Sequence, residues 1–432
     1  MSTRYVRNKF SAVCQAVGAT VCLAFVTNAS FAQTWLIENA KIATATNQGT
    51  LEDASVLIVD GRIKSVGSKL DLPTGGERID AQGRWLTPGF IESYSQIGLI
   101  ESSAESTTVD AGVADFPLGP AFDVRYSLNA ESVVLAESLR AGVTSAVVAP
   151  VGRNDPLAGA GALVHLGGSR LAERMVLQPD LAMFGSLSNG AADLVGGSRG
   201  GLFVRLHDAL RKARRFNPAK HLTEPRGYTV ADMTALKDWL KRSKPLVLEV
   251  HQASQIMQAL ELAKTHQLDL IIRGASEAWK VAPQLAAAGV PVVLDPMANI
   301  PVGFDSLGAR LDTAALLHAA GVSFAFTSEN THNPAWIRQG AGIAVANGLP
   351  FDAAIAAISA APAAIWGAND LGQIAVGKRA DLVLWSGDPL EVTTHAVQVM
   401  VDGEWQSLQS RQTRLRDRYR DLSNKVTPFN YR

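Results

Sequence analysis

The middle of this 432-residue chain alternates short, continuously apolar runs with helical stretches, and few folds accept that pattern. TSAVVAP (Thr144 to Pro150), PLVLEVH (Pro245 to His251), LDLIIRG (Leu268 to Gly274), VPVVLDP (Val290 to Pro296) and VSFAFTS (Val322 to Ser328) read as strands buried on both faces. Between them SQIMQALELAKTHQ, EAWKVAPQLAAAG and ARLDTAALLHAAG place apolar residues three and four apart, and several close on Gly, as helix C-termini do. Such strands, alternating with helices, define a parallel sheet covered on both faces. Repeated over about 270 residues, the pattern predicts a TIM-like (β/α)8 barrel, whose chemistry sits on the loops after the strands. An apolar fraction of 47% supplies core enough for it.

Both flanks read as antiparallel sheet. WLIENAKI, ASVLIVDGRIKSVG and ERIDAQGRWL alternate apolar and polar residues and are punctuated by Asp60-Gly61, Gly75-Gly76 and Gln82-Gly83. The same style returns in ADLVLWSGDP (Ala380 to Pro389) and AVQVMVDGEW (Ala396 to Trp405). The expected architecture is therefore α/β. A barrel covers residues 87–369, a small β-sandwich is built from both chain ends (33–86 and 370–407), and a tail covers 408–432. RQTRLRDRYRDLSNK in that tail reads as a mixed-charge helix or solvated segment. Ala104 to Ala130 and the Gly-rich Ala158 to Gly201 lack periodicity and are expected as surface loops, active-face lids or an interface.

Residues 1–32 have the three parts of an export signal. Arg4, Arg7 and Lys9 form a positive start, and an Ala/Val/Phe-rich stretch follows. Asn28-Ala29-Ser30-Phe31-Ala32 then supplies small residues at the two positions a signal peptidase reads, for a cut after Ala32. The apolar run is too short for a membrane anchor. The expected location is periplasmic or secreted, with no membrane span in the mature chain. Cys14 and Cys22 both fall inside this segment, so the mature chain has neither a disulfide nor a thiolate metal site. The 40 basic and 40 acidic residues balance, which gives no reason to expect a nucleic-acid partner.

PGFIESYSQIGL after a β segment, PLVLEVHQASQI, LIIRGASEAWKVAPQLAAAGVPVVLDP, GVSFAFTSENTHNP and LGQIAVGKRADLVLWSGDPLEV together resemble the amidohydrolase superfamily. The likeness runs from Trp35 to Trp405 and is strongest to the imidazolonepropionase-like and prolidase-like branch. The resemblance implies metal-dependent hydrolysis of C–N (amide-type) bonds, with zinc or another divalent ion. That ion would be held by a His-x-His pair after the first strand, a His after the fifth, a His after the sixth and an Asp after the eighth. Many two-metal members add a carboxylated Lys. In such sites the metal lowers the pKa of bound water and the Asp takes its proton.

This sequence departs from that set at each position. The His-x-His pair falls on Tyr94 and Gln96, the fifth-strand ligand on Glu249, with His251 two residues beyond, and the sixth on Gly274. Glu329 stands where the Asp is usual and is the candidate base. The resemblance then implies a degenerate site with no tightly bound metal expected. The alternative is an atypical site of Glu249, His251, Asp295 and Glu329, whose oxygens, with the Gln96 amide, would suit a hard cation.

Other catalytic texts are weaker. Gly196-Gly197-Ser198-Arg199-Gly200 matches the G-x-S-x-G elbow, which needs a strand before it; Ser198 otherwise caps the following helix. Gly159-Ala160-Gly161 lacks the spacing of a nucleotide loop. His165, His207, His221, His266, His318, His332 and His395 read as packing or connection residues.

The leading expectation is an exported superfamily member that is non-catalytic or weakly catalytic, a pseudoenzyme paired with an active relative. The alternative is an active hydrolase of small amide or peptide-derived substrates at Glu249, His251 and Glu329. A third class, a ligand-binding barrel, requires a pocket lined by Tyr94 and Trp279 without convergent acids. In each case the ligand is a small molecule or peptide-derived.

Overall fold

The computed structural model describes residues 33–114, 116–168, 172–220, 227–301 and 303–420. The export segment and His221 lie outside them.

The alternating N-terminal text folds as β1 (Thr34–Ala43), β2 (Thr50–Val59), β3 (Arg62–Gly67), β4 (Glu77–Asp80) and β5 (Trp85–Pro88). Asp60 and Gly61 connect β2 to β3 with φ of 50° and 71°, the two left-handed residues that a tight hairpin of this twist requires. The barrel strands follow: β6 (Phe90–Ser95), β7 (Val143–Val148), β8 (Leu157–Ala160), β9 (Ala162–His165), β10 (Val176–Gln178), β11 (Met183–Ser186), β12 (Leu246–Val250), β13 (Leu270–Gly274), β14 (Val292–Leu294) and β15 (Phe324–Phe326). The chain closes with β16 (Leu382–Trp385), β17 (Ala396–Val401) and β18 (Glu404–Trp405).

Both chain ends share one sheet, ordered β18-β17-β16-β5-β1-β2-β3, with β4 alongside β1. Antiparallel pairing of Leu382 with Pro88 and Leu384 with Leu86 joins them. One eight-stranded sheet around Ile37, Ile42, Ile58, Leu86, Leu382 and Met400 takes the place expected for a two-sheet sandwich.

In the barrel region β6 and β7 are parallel, and so are the four successive pairs from β11 to β15. The third stave differs. Leu157 to His165 runs antiparallel to its neighbours, β8 against β11 and β9 against β7. It breaks at Gly161, where a Cβ would stand 2.3 Å from the Phe184 ring. The other departure is the seam between the first and last staves, where no strand ladder pairs β15 with β6. Thr327 donates to the Tyr94 carbonyl (2.9 Å) and Ser328 binds the Glu92 carboxylate instead.

Strand alternation decides what reaches the interior. Val147, Phe184, Val247, Ile271 and Val293 pack together with Trp366 and Leu371, whereas Leu246, Leu248, Leu270 and Ile272 pack in the larger cluster with the helices. Glu249 and Arg273 are two residues beyond Val247 and Ile271, so they share the inner face at the strand ends. The long loop before the first barrel helix is pinned by Asp232, which accepts from Gly119 N and Ala121 N while closing a capping box with Thr229. Helix Asn189–Asp193, not a strand, precedes Ser198, and Ser198 caps helix Arg199–Arg215 through Gly201 N. The G-x-S-x-G text is therefore a helix start and not a nucleophile elbow.

Candidate functional site

The parallel register pairs Glu249 of β12 with Arg273 of β13. Arg273 Nη2 lies 2.8 Å from Glu249 Oε2, and Nη1 lies 2.5 Å from Glu329 Oε1. The guanidinium also sits 4.0 Å from the centre of the Tyr94 ring. With its side chain only 11% exposed, Arg273 is the buried centre of two carboxylates and one aromatic face. Burial works against its charge, but Tyr94, Glu329 and Glu249 outweigh that and hold it protonated above the ordinary arginine value. Burial likewise pushes the Glu249 carboxyl upward; Arg273, His251 and Ser186 reverse this and hold it at about 2. Burial raises the Tyr94 hydroxyl, which stays neutral.

Glu329 reaches Arg273 from a backbone at φ 47°, a left-handed conformation uncommon for a side chain of this kind. Such strain persists where the surroundings over-determine it, and it concentrates at functional sites. Its N–H donates to Thr327 Oγ1, whose own hydroxyl holds the seam.

The remaining candidate residues divide. His251 lies beside the cluster, with Nδ1 2.9 Å from Ser276 Oγ and Nε2 3.4 Å from Glu249 Oε1. Gly274 contributes space: it has φ 85°, and a Cβ there would fall 2.6 Å from His251 Cε1. Gly274→Ala is expected to destabilise the fold by about 2 kcal/mol or more, from backbone strain plus the displaced imidazole. A denaturant melt beside the wild type measures it, and an unchanged midpoint would refute the packing role. Gln96 accepts a long 3.5 Å contact from Thr331 Oγ1 and does not join the Arg273 cluster. Asp295 accepts from Met297 N; burial pushes its carboxyl up to about 6, that hydrogen bond opposes the shift, and Glu329 adds to it. His332 Nε2 lies 3.2 Å from the Glu101 carbonyl, a loop contact. His165 faces the Arg174 carbonyl, His207 pairs with His266, His318 meets Phe324 edge-on and His395 meets Ser386.

A cavity of about 280 Å³ opens beside this cluster, with Tyr94, Phe184, Ser186, Ser188, Glu249 and Arg273 in its wall. Tyr94, Phe184 and Trp366 form an aromatic column beneath it, with centroids 6.1 and 6.2 Å apart. Trp279, expected beside Tyr94, is not part of that wall; its indole donates to the Gly308 carbonyl between Lys280 and Arg310. A larger groove of about 680 Å³ is built by helix Arg199–Arg215 and its neighbours rather than by strand ends. We therefore take the smaller cavity as the candidate site.

Two residues central to this geometry were not singled out from the sequence. Arg273 is the lone charge in the strand LIIRG, and Glu92 the lone charge in PGFIESYSQIGL. A charge inside an apolar strand must find a partner, and that was the available signal. Glu92 is 2% exposed and accepts from Ser328 Oγ (2.7 Å), Ser328 N and Tyr94 N across the seam. Burial is the largest influence and pushes its carboxyl up to about 7 against these hydrogen bonds.

The donor chemistry does not fit a metal centre of the superfamily type. Glu249 and Glu329 both spend oxygens on Arg273, and the His251 ring is held between Ser276 and Glu249. Among the described residues, no three of His, Cys, Asp or Glu come together as a set able to hold a metal ion.

A ring of mostly parallel strands with ionisable side chains at its mouth, joined to a sheet made from both chain ends, is the amidohydrolase architecture. An amidohydrolase from Thermotoga maritima shares it, with a TM-score of 0.77 at 24% identity over 86% of this chain and 99% of that one. Residues 272–405 match the Amidohydrolase family. Amidohydrolase tasK of Hapsidospora irregularis is 25% identical over 81% of this chain, which spans 39% of that protein's length. Imidazolonepropionase of Mycolicibacterium smegmatis is 29% identical over 26% of this chain and 30% of its own. The chain belongs to the amidohydrolase superfamily.

Proposed function

We propose that this chain is an exported amidohydrolase-superfamily protein that holds a small-molecule or peptide-derived ligand at its barrel mouth. In this reading it lacks, or nearly lacks, the metal-dependent C–N hydrolysis of its superfamily and works beside an active relative. One observation carries the reading: the two carboxylates at the strand ends are neutralised by Arg273 rather than left open to a metal. The cavity beside Tyr94 and Phe184 offers an aromatic floor and hydroxyls for a ligand of modest size. Chain purified from its own host should contain far less than one transition-metal ion per molecule and should not hydrolyse amide or dipeptide substrates above background. Near-stoichiometric metal, with turnover that Glu329→Gln abolishes, would overturn it.

A second reading is favoured by Asp295, whose carboxyl is held at about 6, in the range useful for proton transfer at working pH. It makes the chain an active hydrolase of small amides, with Asp295 and Glu329 as acid and base beside Glu249 and His251. Loss of measured turnover in Asp295→Asn would support it; turnover unchanged in both Asp295→Asn and Glu329→Gln would sink it.

A further inference from the structure

We propose that the Arg273 guanidinium is the resident cation of the barrel mouth, and that it blocks a latent divalent-cation site formed by Glu249 and Glu329 with His251 beside them. The inference rests on the reading above that the native chain carries no metal at this place.

The geometry argues for replacement rather than an ordinary surface pair. Adjacent nitrogens of one planar group face oxygens from two different strand ends, 2.8 and 2.5 Å away. A guanidinium fork suits this because its donors diverge in a plane, whereas an ammonium offers one point charge. The fourth side is the Tyr94 ring at 4.0 Å, which favours a cation and offers no ligand atom from its face. The register pairs Arg273 directly with Glu249, so the strand ladder delivers the cation to the carboxylate without help from a loop. Two anions and one monovalent cation leave one negative charge over. A divalent ion would balance both, and the nearby imidazole of His251 adds a donor that borderline metals accept.

The test is metal binding by the purified full chain, using Zn²⁺ and Mn²⁺ alone as probes in equilibrium dialysis. Wild type, Arg273→Ala, Arg273→His and Arg273→Lys are compared. Arg273→Ala and Arg273→His should each gain one divalent-ion site at least about tenfold tighter than any site in the wild type. Their melting temperatures should rise on adding metal. Arg273→Lys, which keeps a cation in place, should gain none. Adding Glu329→Gln to Arg273→Ala should remove the gain.

If Arg273→Ala folds, by its near-ultraviolet circular dichroism, yet binds no more tightly than wild type, the inference fails while the proposed function stands. Wild type binding metal as tightly as the variants overturns both. Retention of the gained site in the double variant places the metal elsewhere and also overturns the inference. Should Arg273→Ala unfold without metal, recovery of its fold on adding Zn²⁺ or Mn²⁺ supports the latent site, and no recovery with either overturns it.

Discussion

Arg273→Met is expected to lower the stability of the folded chain by about 3–5 kcal/mol near neutral pH, because it strands Glu249 and Glu329 in a partly buried space without their cation. The loss should depend on pH in a defined sense. Glu249 is held at about 2 in the fold against an ordinary 4.5. A depressed carboxyl contributes stability that is fully present above its unfolded value and is lost as pH falls through its folded value. The gap between wild type and Arg273→Met should therefore be widest above pH 4.5 and should narrow as pH falls toward 2. Urea unfolding across that window measures it. Adding Glu249→Gln to Arg273→Met should restore part of the loss, because it removes one stranded charge. A gap that does not change with pH would mean that lost packing, not lost charge, is what the substitution reports.

Glu92→Gln should act in the opposite direction. Burial holds the Glu92 carboxyl at about 7, above its ordinary 4.5. An acid raised in this way contributes no penalty while protonated, below its unfolded value, and costs stability as pH climbs through its folded value. The 2.5-unit difference corresponds to roughly 3 kcal/mol lost between pH 4.5 and a little above 7, at about 1.4 kcal/mol per unit. Gln keeps an acceptor for Ser328 N and never ionises. The variant should match wild type near pH 4.5 and exceed it above pH 7 by on the order of 2–3 kcal/mol. Parallel stability curves for the two proteins would show that Glu92 does not ionise within this range.

The sequence alone reached the barrel because its strands are written locally. Pro245 to His251, Leu268 to Gly274, Val290 to Pro296 and Val322 to Ser328 each contain a strand of the structure, and the turn at Asp60-Gly61 falls where its residues place it. The third stave was not legible. Leu157 to His165 lies in Gly-rich text without period, and its reversed direction is set by neighbours distant in sequence. The site was half legible for the same reason. Tyr94, Glu249 and Glu329 do meet, but their common partner Arg273 is chosen by cross-strand register. Reading Gly274 as a vacated ligand position missed that its neighbour, one residue earlier, carries the charge inward while Gly274 itself makes room for His251. Gln96, Asp295 and Trp279 failed to join the cluster because strand-end proximity does not fix the direction of a loop.

The pairing of β5 with β16 sets an order of events for the chain as it is made. Thr87 and Trp385, which hydrogen-bond at 2.9 Å, are 298 residues apart. Everything between them must emerge before β5 gains this neighbour, and closing so long a loop delays the contact further. Until then one side of β5 is an unpaired edge, a template for pairing with another chain. The nascent protein thus spends most of its synthesis with a sticky flank beside the region that becomes the barrel. A holding chaperone acting on that flank would have its greatest effect before β16 arrives, and little afterwards.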